Sequence, residues 1–302
     1  NRSGDANIVL QNCIKESIID HFNFTLRLAE LDRVELIVLS GTQGGDGSAV
    51  VLDVLAGAVR DIATNLNEAN LNIVVNETAD TTRPQLVSGL IDYNDGMLTL
   101  NFSETVDTTP RNFVDLSKFV LVDNSPAGNS HGNAGTFVPL ANSLTISNDT
   151  QTLLQIRLSE AERVTALSFS ATPGGVHTAG TATKIDLEVG ACRDVATNLN
   201  VETVNLALEE VSDTTRPSAL VASVRLTDGV LVFENTETLR FSTLNFSAAF
   251  FSNSSSIAEF TLLGATVVQD NLPSITVLLK EAMRARAVEI SATSGGDGLA
   301  AV

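Results

Sequence analysis

The sequence predicts an all-β protein, built from tandem antiparallel β-sandwich domains with a repeat of about 133 residues. Apolar and polar residues alternate at 24–28, 98–102 and 154–158, which is the pattern of half-buried strands. Gly-, Asn- and Ser-rich turns separate these segments. Helical periodicity is limited to 158–164 and 280–286, which are compatible with one helical turn or with a strand end. Many short strands with frequent turns are typical of β-sandwiches.

The repeat is visible in the sequence itself. Arg-Asp-Ile-Ala-Thr-Asn-Leu-Asn at 60–67 recurs with one change at 193–200, and Asp-Thr-Thr-Arg-Pro at 80–84 recurs at 213–217. Both pairs have an offset of 133, which also separates Asp95-Gly96 from Asp228-Gly229. A turn that begins with Ser and ends with two glycines occurs three times, at 40–45, 170–175 and 291–296. We therefore predict three units, at 1–83, 84–216 and 217–302.

Only the middle unit is expected to be complete. The first unit lacks its opening strands and the third lacks its closing strands, when both are aligned with the middle one. An isolated partial sandwich would expose strand edges and one face of a core. The missing strands are therefore expected from flanking sequence or from a neighbouring molecule.

Composition excludes several partners. The chain of 302 residues has 36 acidic and 18 basic residues, a formal net charge of −18 and a sequence pI near 4.4. This charge is a poor match for nucleic acid or for anionic lipid. The apolar runs are too short for a membrane span, so none is expected. The chain begins with Asn1 without a leader-like segment, so we interpret it as a processed product or as part of a longer protein.

The unit boundaries carry the most specific motif. Asp80 and Pro84 bracket the first copy of Asp-Thr-Thr-Arg-Pro, and Asp213 and Pro217 bracket the second. Proline fixes its own φ and holds the preceding arginine extended. We therefore predict short, stiff linkers at these four residues.

These motifs resemble those of a known family. Asp-Thr-Thr-Arg-Pro, then Asp95-Gly96 with Leu-Thr-Leu-Asn-Phe-Ser-Glu-Thr-Val at 98–106, then Asp-Val-Ala-Thr-Asn at 194–198 resemble tandem immunoglobulin-like repeats of the bacterial-Ig and cadherin-like kind. Thr64 and Thr197 stand where similar repeats usually carry glycine. The resemblance implies extracellular surface or fibre proteins of bacteria, algae and other protists, and no catalytic residues.

Seven Asn-x-Ser/Thr sequons are candidate N-glycosylation sites. They are Asn1, Asn23, Asn76, Asn101, Asn148, Asn245 and Asn253. Asn23 and Asn101 lie opposite the apolar residues of their strands and are expected to face solvent. The alternative is that these residues are unmodified turn and strand residues. The Ser and Thr content also leaves room for O-linked sugars.

Metal and redox chemistry have little support in the sequence. Cys13 and Cys192 occupy non-equivalent positions of different units, so a contact between units or subunits, partners outside the chain and buried free thiols remain open, with free thiols favoured. His21, His131 and His177 have neither metal-ligand nor catalytic-triad spacing. The glycine turns at 44–47 and 295–298 lack the Gly-Lys-Ser/Thr of a phosphate loop, so we interpret them as turns.

Calcium is the cation to consider. Cadherin-like arrays place carboxylates at domain junctions, so the resemblance makes Asp80 and Asp213 candidate ligands. The sequence shows no Asp-x-Asp cluster beside them, and a solvated acidic surface is the favoured alternative. No other cofactor is expected.

We therefore predict a non-enzymatic structural subunit of an extracellular, glycosylated fibril. Subunits would associate head to tail, with one molecule lending a β-strand to the next. One alternative is a monomeric adhesin stalk whose binding domain lies outside this chain. Another is an accessory domain array of a secreted carbohydrate-active enzyme, which the lack of Trp and the single Tyr93 disfavour because sugar sites usually stack on such rings.

Overall fold

The computed structural model of the chain describes residues 8–10, 13–18, 23–123, 137–147, 152–175, 183–252, 258–269 and 273–298. Three of the sequon asparagines lie outside these residues: Asn1, Asn148 and Asn253. All three histidines also lie outside them: His21, His131 and His177.

Short strands in antiparallel sheets dominate the structure, with few helices, so the fold is all-β. The chain forms two compact units, Asn1–Asp213 and Thr214–Val302. The boundary falls inside the second Asp-Thr-Thr-Arg-Pro motif, whereas the first copy lies within the first unit. The scheme of three sequence repeats stays a prediction. None of the helices in the described ranges has the length and apolarity needed to cross a bilayer.

The first unit has two larger sheets. Its elements in chain order are β1 (Ile14–Ile18), β2 (Phe24–Arg27), α1 (Glu30–Leu39), β3 (Val51–Val54), β4 (Asn70–Val74), β5 (Leu86–Asp92), β6 (Met97–Phe102), β7 (Phe119–Val122), β8 (Phe137–Pro139), β9 (Leu144–Thr145), β10 (Leu153–Arg157), α2 (Glu160–Ser168), β11 (Lys184–Leu187), β12 (Thr203–Ala207) and β13 (Glu209–Val211). The sheet orders are β13-β5-β6-β10-β9 and β12-β11-β7-β8, with β1-β2 and β3-β4 as separate pairs. The pair of β13 with β5 is parallel, and the other pairs of this unit are antiparallel.

Both larger sheets contribute to one hydrophobic core. The five-stranded sheet provides Ile91, Leu98, Leu100, Leu154 and Ile156. The four-stranded sheet provides Phe119, Leu121, Ile185 and Leu187. All of these side chains are fully buried, so the core of the first unit lies between strands of residues 86–208.

The second unit has one four-stranded sheet and a smaller core. Its elements are β14 (Ala219–Arg225), β15 (Val230–Asn235), β16 (Phe250–Ser252), β17 (Ala258–Thr261), β18 (Thr266–Gln269), β19 (Ser274–Leu278) and α3 (Glu281–Glu289). The sheet order is β14-β15-β19-β18, and β16 pairs with β17. The core is centred on Leu231, Leu262, Ile275, Val277 and Leu279.

Elements recur at the spacings of the sequence motifs. Strands β3 and β11 begin at residues 51 and 184, and β5 and β14 at 86 and 219, so both pairs are 133 residues apart. The helices begin at 30, 160 and 281, with spacings of 130 and 121. Residues 30–74 therefore carry counterparts of α2, β11 and β12, whereas residues 219–289 carry counterparts of β5 through α2.

The predicted alternation holds in the middle of the chain. In β6 the side chains of Leu98, Leu100 and Phe102 are buried, and Leu154 and Ile156 of β10 are buried opposite them. Strand β2 has the same pattern in sequence, yet Phe24 and Leu26 are 53% and 45% exposed. The difference has a structural reason: β10 lies between β6 and β9, whereas β2 pairs with β1 among the described strands.

The helices are longer than the single turns considered from the sequence. Helix α2 begins with a capping box, in which the Ser159 hydroxyl accepts from the Glu162 backbone N–H and the Glu162 carboxylate accepts from the Ser159 N–H. Helix α1 has Ala29 and Asp32 at the same two positions. Alanine has no hydroxyl that could cap the helix, and Asp32 Oδ2 is buried without a hydrogen-bond partner. Short amphipathic helices of this kind have too few residues to give a clear period in sequence.

Candidate functional site

The first Asp-Thr-Thr-Arg-Pro motif is bonded to the turn that follows the Asp-Val-Ala-Thr-Asn motif. Arg83 donates from Nε to the Leu199 carbonyl oxygen at 2.8 Å and from Nη2 to the Asn200 carbonyl oxygen at 2.6 Å. The Pro84 carbonyl oxygen accepts from the Val201 N–H at 2.9 Å, and Pro84 is buried. The predicted linker residue Pro84 thus belongs to a fixed junction within the first unit.

Asp80 is bonded to both sides of this junction. Its Oδ2 accepts from Arg33 Nη1 at 2.5 Å, and its backbone oxygen accepts from Asn198 Nδ2 at 3.1 Å. Its Oδ1 also accepts from the Thr82 N–H. Asp80 therefore ties α1 to the Asp-Val-Ala-Thr-Asn turn.

The second motif places its aspartate in the same way. Asp213 Oδ2 accepts from Nη1 of Arg163 in α2 at 2.8 Å, as Asp80 does from Arg33 in α1. Pro217 lies in the second unit and is exposed. The ion pair between a helix arginine and the aspartate of the Asp-Thr-Thr-Arg-Pro motif therefore occurs at both copies of the motif.

Arg33 is the centre of the junction cluster, by which we mean Glu30, Arg33, Asp80, Glu104 and Asp194. It donates to both carboxylate oxygens of Glu30 at 2.9 Å and to Glu104 Oε2 at 3.0 Å. Glu30 Oε1 in turn accepts from the Thr105 N–H at 2.8 Å. These bonds join the first turn of α1 to the residues that follow β6.

Three carboxylates of the junction cluster lie close together. One oxygen each from Asp80, Glu104 and Asp194 can be chosen so that all three lie within 4.8 Å of one another. Glu104 and Asp194 are buried, and Glu104 Oε1 has no hydrogen-bond partner. Burial raises the pKa of Glu104 to about 7, against the charge of Arg33 and with the charges of Asp194 and Asp80. Burial likewise raises the pKa of Asp194.

The first repeat contains a counterpart of Asp194 outside any such cluster. Asp61 accepts from Asn65 N and Nδ2, both at 2.8 Å, as Asp194 accepts from Asn198 N and Nδ2 at 2.7 and 2.8 Å. Asp61 is exposed, and its hydrogen bonds with Asn65 lower its pKa. The same local turn therefore lowers the pKa of its aspartate in the first repeat, whereas burial raises the pKa of the equivalent aspartate in the middle repeat.

The glycine turn at 44–47 packs on the Asp-Val-Ala-Thr-Asn turn. Gly44 has a φ of +90°, and a Cβ there would lie 2.3 Å from the Val195 carbonyl oxygen. Gln43 Nε2 donates to Thr197 Oγ1 at the same contact. The glycines thus allow close backbone approach, as the turn interpretation predicts.

The two threonines that replace the usual glycine have left-handed backbones. Thr64 has a φ of +71° and Thr197 a φ of +70°, which is strained for a β-branched residue. We expect Thr197→Gly to raise the free energy of unfolding by about 1 kcal/mol, because strain relief exceeds the entropy that glycine loses on folding.

Thermal unfolding of Thr64→Gly provides the comparison for Thr197→Gly. Thr64 is exposed and has the same φ, without the contact with Gln43. Both variants should be stabilised. A fall in melting temperature for both would show that positive φ is not the source of strain.

A groove lies beside α1 in the first repeat. It has a volume of about 600 Å³, and its apolar lining includes Leu28, Leu36, Ile37, Val50 and Val75. Glu77 lies in its wall and accepts from the N–H groups of Gly41 and Val50 at 3.0 and 2.7 Å. We call this the α1 groove.

In the middle repeat, the residue that corresponds to Glu77 bonds to the connection between β5 and β6. Glu210, the counterpart of Glu77, accepts from the N–H groups of Ala171 and Thr183, and also from the hydroxyl of the buried Tyr93 at 3.1 Å. Tyr93 belongs to the β5–β6 connection, and Arg163 Nη1 donates to its carbonyl oxygen at 2.7 Å. In the second unit, Arg284 of α3 likewise donates to the Leu226 carbonyl oxygen between β14 and β15. Two lining residues of the α1 groove, Arg33 and Glu77, therefore correspond to residues that bond to the β5–β6 connection in the middle repeat.

The four described sequon asparagines differ in exposure. Asn23, Asn76 and Asn245 are exposed, and Asn76 lines the α1 groove. Asn101 was expected to face solvent but is half-buried, because Thr152 next to the paired strand β10 donates its hydroxyl to Asn101 Oδ1 at 3.2 Å.

Both cysteines are free thiols, Cys13 half-buried and Cys192 buried in the core. Burial, with the charge of Asp194 second, raises the pKa of Cys192 to about 12. We expect iodoacetamide at mildly alkaline pH to alkylate Cys13 and to leave Cys192 unmodified until the protein is unfolded, because the thiolate is the reactive species. Peptide mass spectrometry would measure both rates; equal rates in the folded protein would contradict this expectation.

Sequence reasoning identified Asp80 but not Arg33, Glu104 or Asp194. Glu104 and Asp194 do lie within the motifs that define the repeat. Their position next to turns, where strands end, was the available signal.

No protein-family model matches the chain, and no curated protein matches it.

Proposed function

We propose that this chain is a non-catalytic structural segment of an extracellular, glycosylated fibril, made of immunoglobulin-like β-sandwich repeats joined head to tail. The observation that carries the proposal is the junction at residues 80–84. Its backbone and side chains bond to α1 on one side and to residues 198–201 on the other. A linker fixed in this way favours a stiff array over a flexible chain of domains.

The α1 groove supports strand donation between molecules. Glu77 and Arg33 of its lining correspond to Glu210 and Arg163, which bond to Tyr93 of the β5–β6 connection in the middle repeat. The exposed apolar residues of β2 lie on the strand equivalent to β10. A hairpin from a neighbouring molecule would cover these residues and give Glu77 and Arg33 the partners that Glu210 and Arg163 have. Addition of strands to an open sheet gives affinity through main-chain hydrogen bonds.

The net charge of −18 and the exposed sequons support an unclustered fibre. Like charge keeps filaments apart, and glycans at Asn23 and Asn245 would add steric separation. Asn76 is the exception, since a glycan there would stand at the α1 groove and compete with a donated hairpin.

The test compares two exposed apolar residues of the first repeat. Leu26→Asp places a charge on β2, and Ile62→Asp places the same charge on a side chain that is 98% exposed. We expect the wild-type protein and Ile62→Asp to form filaments as concentration rises, and Leu26→Asp to stay monomeric. Light scattering and electron microscopy would measure this.

Two results would contradict the proposal. If the wild-type protein stays monomeric at high concentration, strand donation between molecules is wrong and the chain is a stalk. If Leu26→Asp assembles as well as the wild type, filaments form through another surface.

A further inference from the structure

We propose that Asp80, Glu104 and Asp194 form a binding site for a hard divalent cation of the size of calcium. This inference concerns the junction within one molecule and does not depend on whether molecules form fibres. Calcium binds carboxylate oxygens at about 2.3–2.6 Å, so two oxygens on opposite sides of the ion are about 4.6–5.2 Å apart. The three oxygens, all within 4.8 Å of one another, fit inside one such coordination sphere.

The charge of the junction cluster favours a cation. Four carboxylates face the single guanidinium of Arg33, which bonds Glu30, Asp80 and Glu104. Asp194 has only the neutral Asn198 among its hydrogen-bond partners in the described contacts. Buried carboxylates are usually paired or bind a metal, and a bound cation would compensate this excess of negative charge.

An unpartnered oxygen provides an independent indication. The Glu104 side chain is 5% exposed, and its Oε2 accepts from Arg33 whereas its Oε1 is buried without any hydrogen bond. Buried polar atoms are almost always satisfied, and each exception requires an explanation. A cation bound to Oε1 supplies the missing partner and leaves the bond between Oε2 and Arg33 in place.

The ion expected from this geometry is calcium rather than magnesium. Magnesium requires oxygens at about 2.0–2.1 Å, so its opposite ligands are no more than about 4.2 Å apart, and it gives up its water reluctantly. Three protein carboxylates, two of them buried, leave little room for the waters that magnesium keeps, so this cluster is better matched by calcium.

The chain provides its own control for local acidity. Asp61 has the same turn and the same asparagine bonds as Asp194, but it is exposed and stands outside the cluster. Asp61→Asn therefore removes one negative charge from the same motif without touching the proposed ligands. A loss of calcium affinity that is caused only by the overall charge of the protein should be equal in Asp61→Asn and Asp194→Asn.

The experiment is calorimetric titration of the full chain with calcium chloride in physiological salt after treatment with a chelator. Wild type and Asp61→Asn should bind one equivalent with the same affinity, and magnesium chloride should bind at least tenfold more weakly. Glu104→Gln and Asp194→Asn should lose at least tenfold in calcium affinity. Thermal unfolding with and without calcium should show a higher melting temperature for the first unit in wild type and Asp61→Asn alone.

Specific outcomes would overturn the site. If wild type shows neither saturable heat nor a calcium-dependent melting temperature, the cluster binds no cation, and a higher chelated melting temperature for Glu104→Gln would then show that a proton neutralises it. If Asp194→Asn and Asp61→Asn bind calcium equally, the binding lies elsewhere. Should a variant fail to fold, the wild-type titration still decides between binding and no binding.

Discussion

Replacing Arg163 by methionine should lower the free energy of unfolding of the first unit by about 3–5 kcal/mol, the usual cost of breaking a buried ion pair on one side. The Arg163 side chain is 7% exposed and donates to Glu160, Asp213 and the Tyr93 carbonyl oxygen. Methionine keeps much of the volume but removes the hydrogen bonds of Arg163 to the buried Tyr93 carbonyl and to the carboxylates of Glu160 and Asp213. Chemical denaturation followed by circular dichroism would measure the change.

The matched control is Arg284→Met in the second unit. Arg284 has the same place in its helix and donates to the Leu226 carbonyl oxygen, but its side chain is four times as exposed, at 28% against 7%. Water can replace the donor there, so we expect a much smaller effect on the unfolding of that unit. Equal losses in the two units would show that the helix arginine stabilises through packing of its stem rather than through its buried bonds.

Gly44→Ala should destabilise the first unit by about 3 kcal/mol, because it combines backbone strain with an overlap that neighbouring backbone must relieve. The added methyl would lie 2.3 Å from the Val195 carbonyl oxygen and 2.8 Å from the Ala196 Cα. Neither atom belongs to a flexible side chain, so the turn at 44–47 must move away from residues 195–197. Thermal and chemical unfolding would both report the loss.

Gly47→Ala separates the two contributions. Gly47 has the same φ of +90°, but nothing lies within 4 Å of the Cβ that alanine would add. It should therefore show only the cost of a left-handed alanine, about 1–2 kcal/mol. If the two alanine variants are equally destabilised, the close approach of Gly44 to Val195 has no energetic importance.

The burial of strand residues was predictable from the alternation where a strand has a neighbouring strand on each side. Leu98, Leu100 and Phe102 alternate with polar residues, and burial follows that alternation because strands on both sides hold β6 in register. The same pattern in β2 predicts a strand but not its burial, since the covering strand is a tertiary feature. Helix α1 has only ten residues and no side-chain cap, so neither hydrophobic periodicity nor a capping motif predicts it from the sequence.

The junction was only partly predictable for a related reason. Asp80 and Pro84 stand in a repeated motif and could be identified from sequence. Arg33, Glu104 and Asp194 come from three other places in the chain, and only the packing of α1 and the Asp-Val-Ala-Thr-Asn turn brings them together. Sequence periodicity reports which residues recur, but it does not report which recurring residues meet.

The parallel pairing of β13 with β5 has a mechanical consequence. Strand β5 follows the first Asp-Thr-Thr-Arg-Pro motif and β13 precedes the second, so tension applied at residues 84 and 213 pulls the two strands in opposite directions along their length. Residues 209–211 are paired with residues 90–92, and their evenly spaced hydrogen bonds would bear the load together rather than open one after another. The first and last strands of the middle repeat are thus paired in shear geometry, in which rupture requires several hydrogen bonds to break at once.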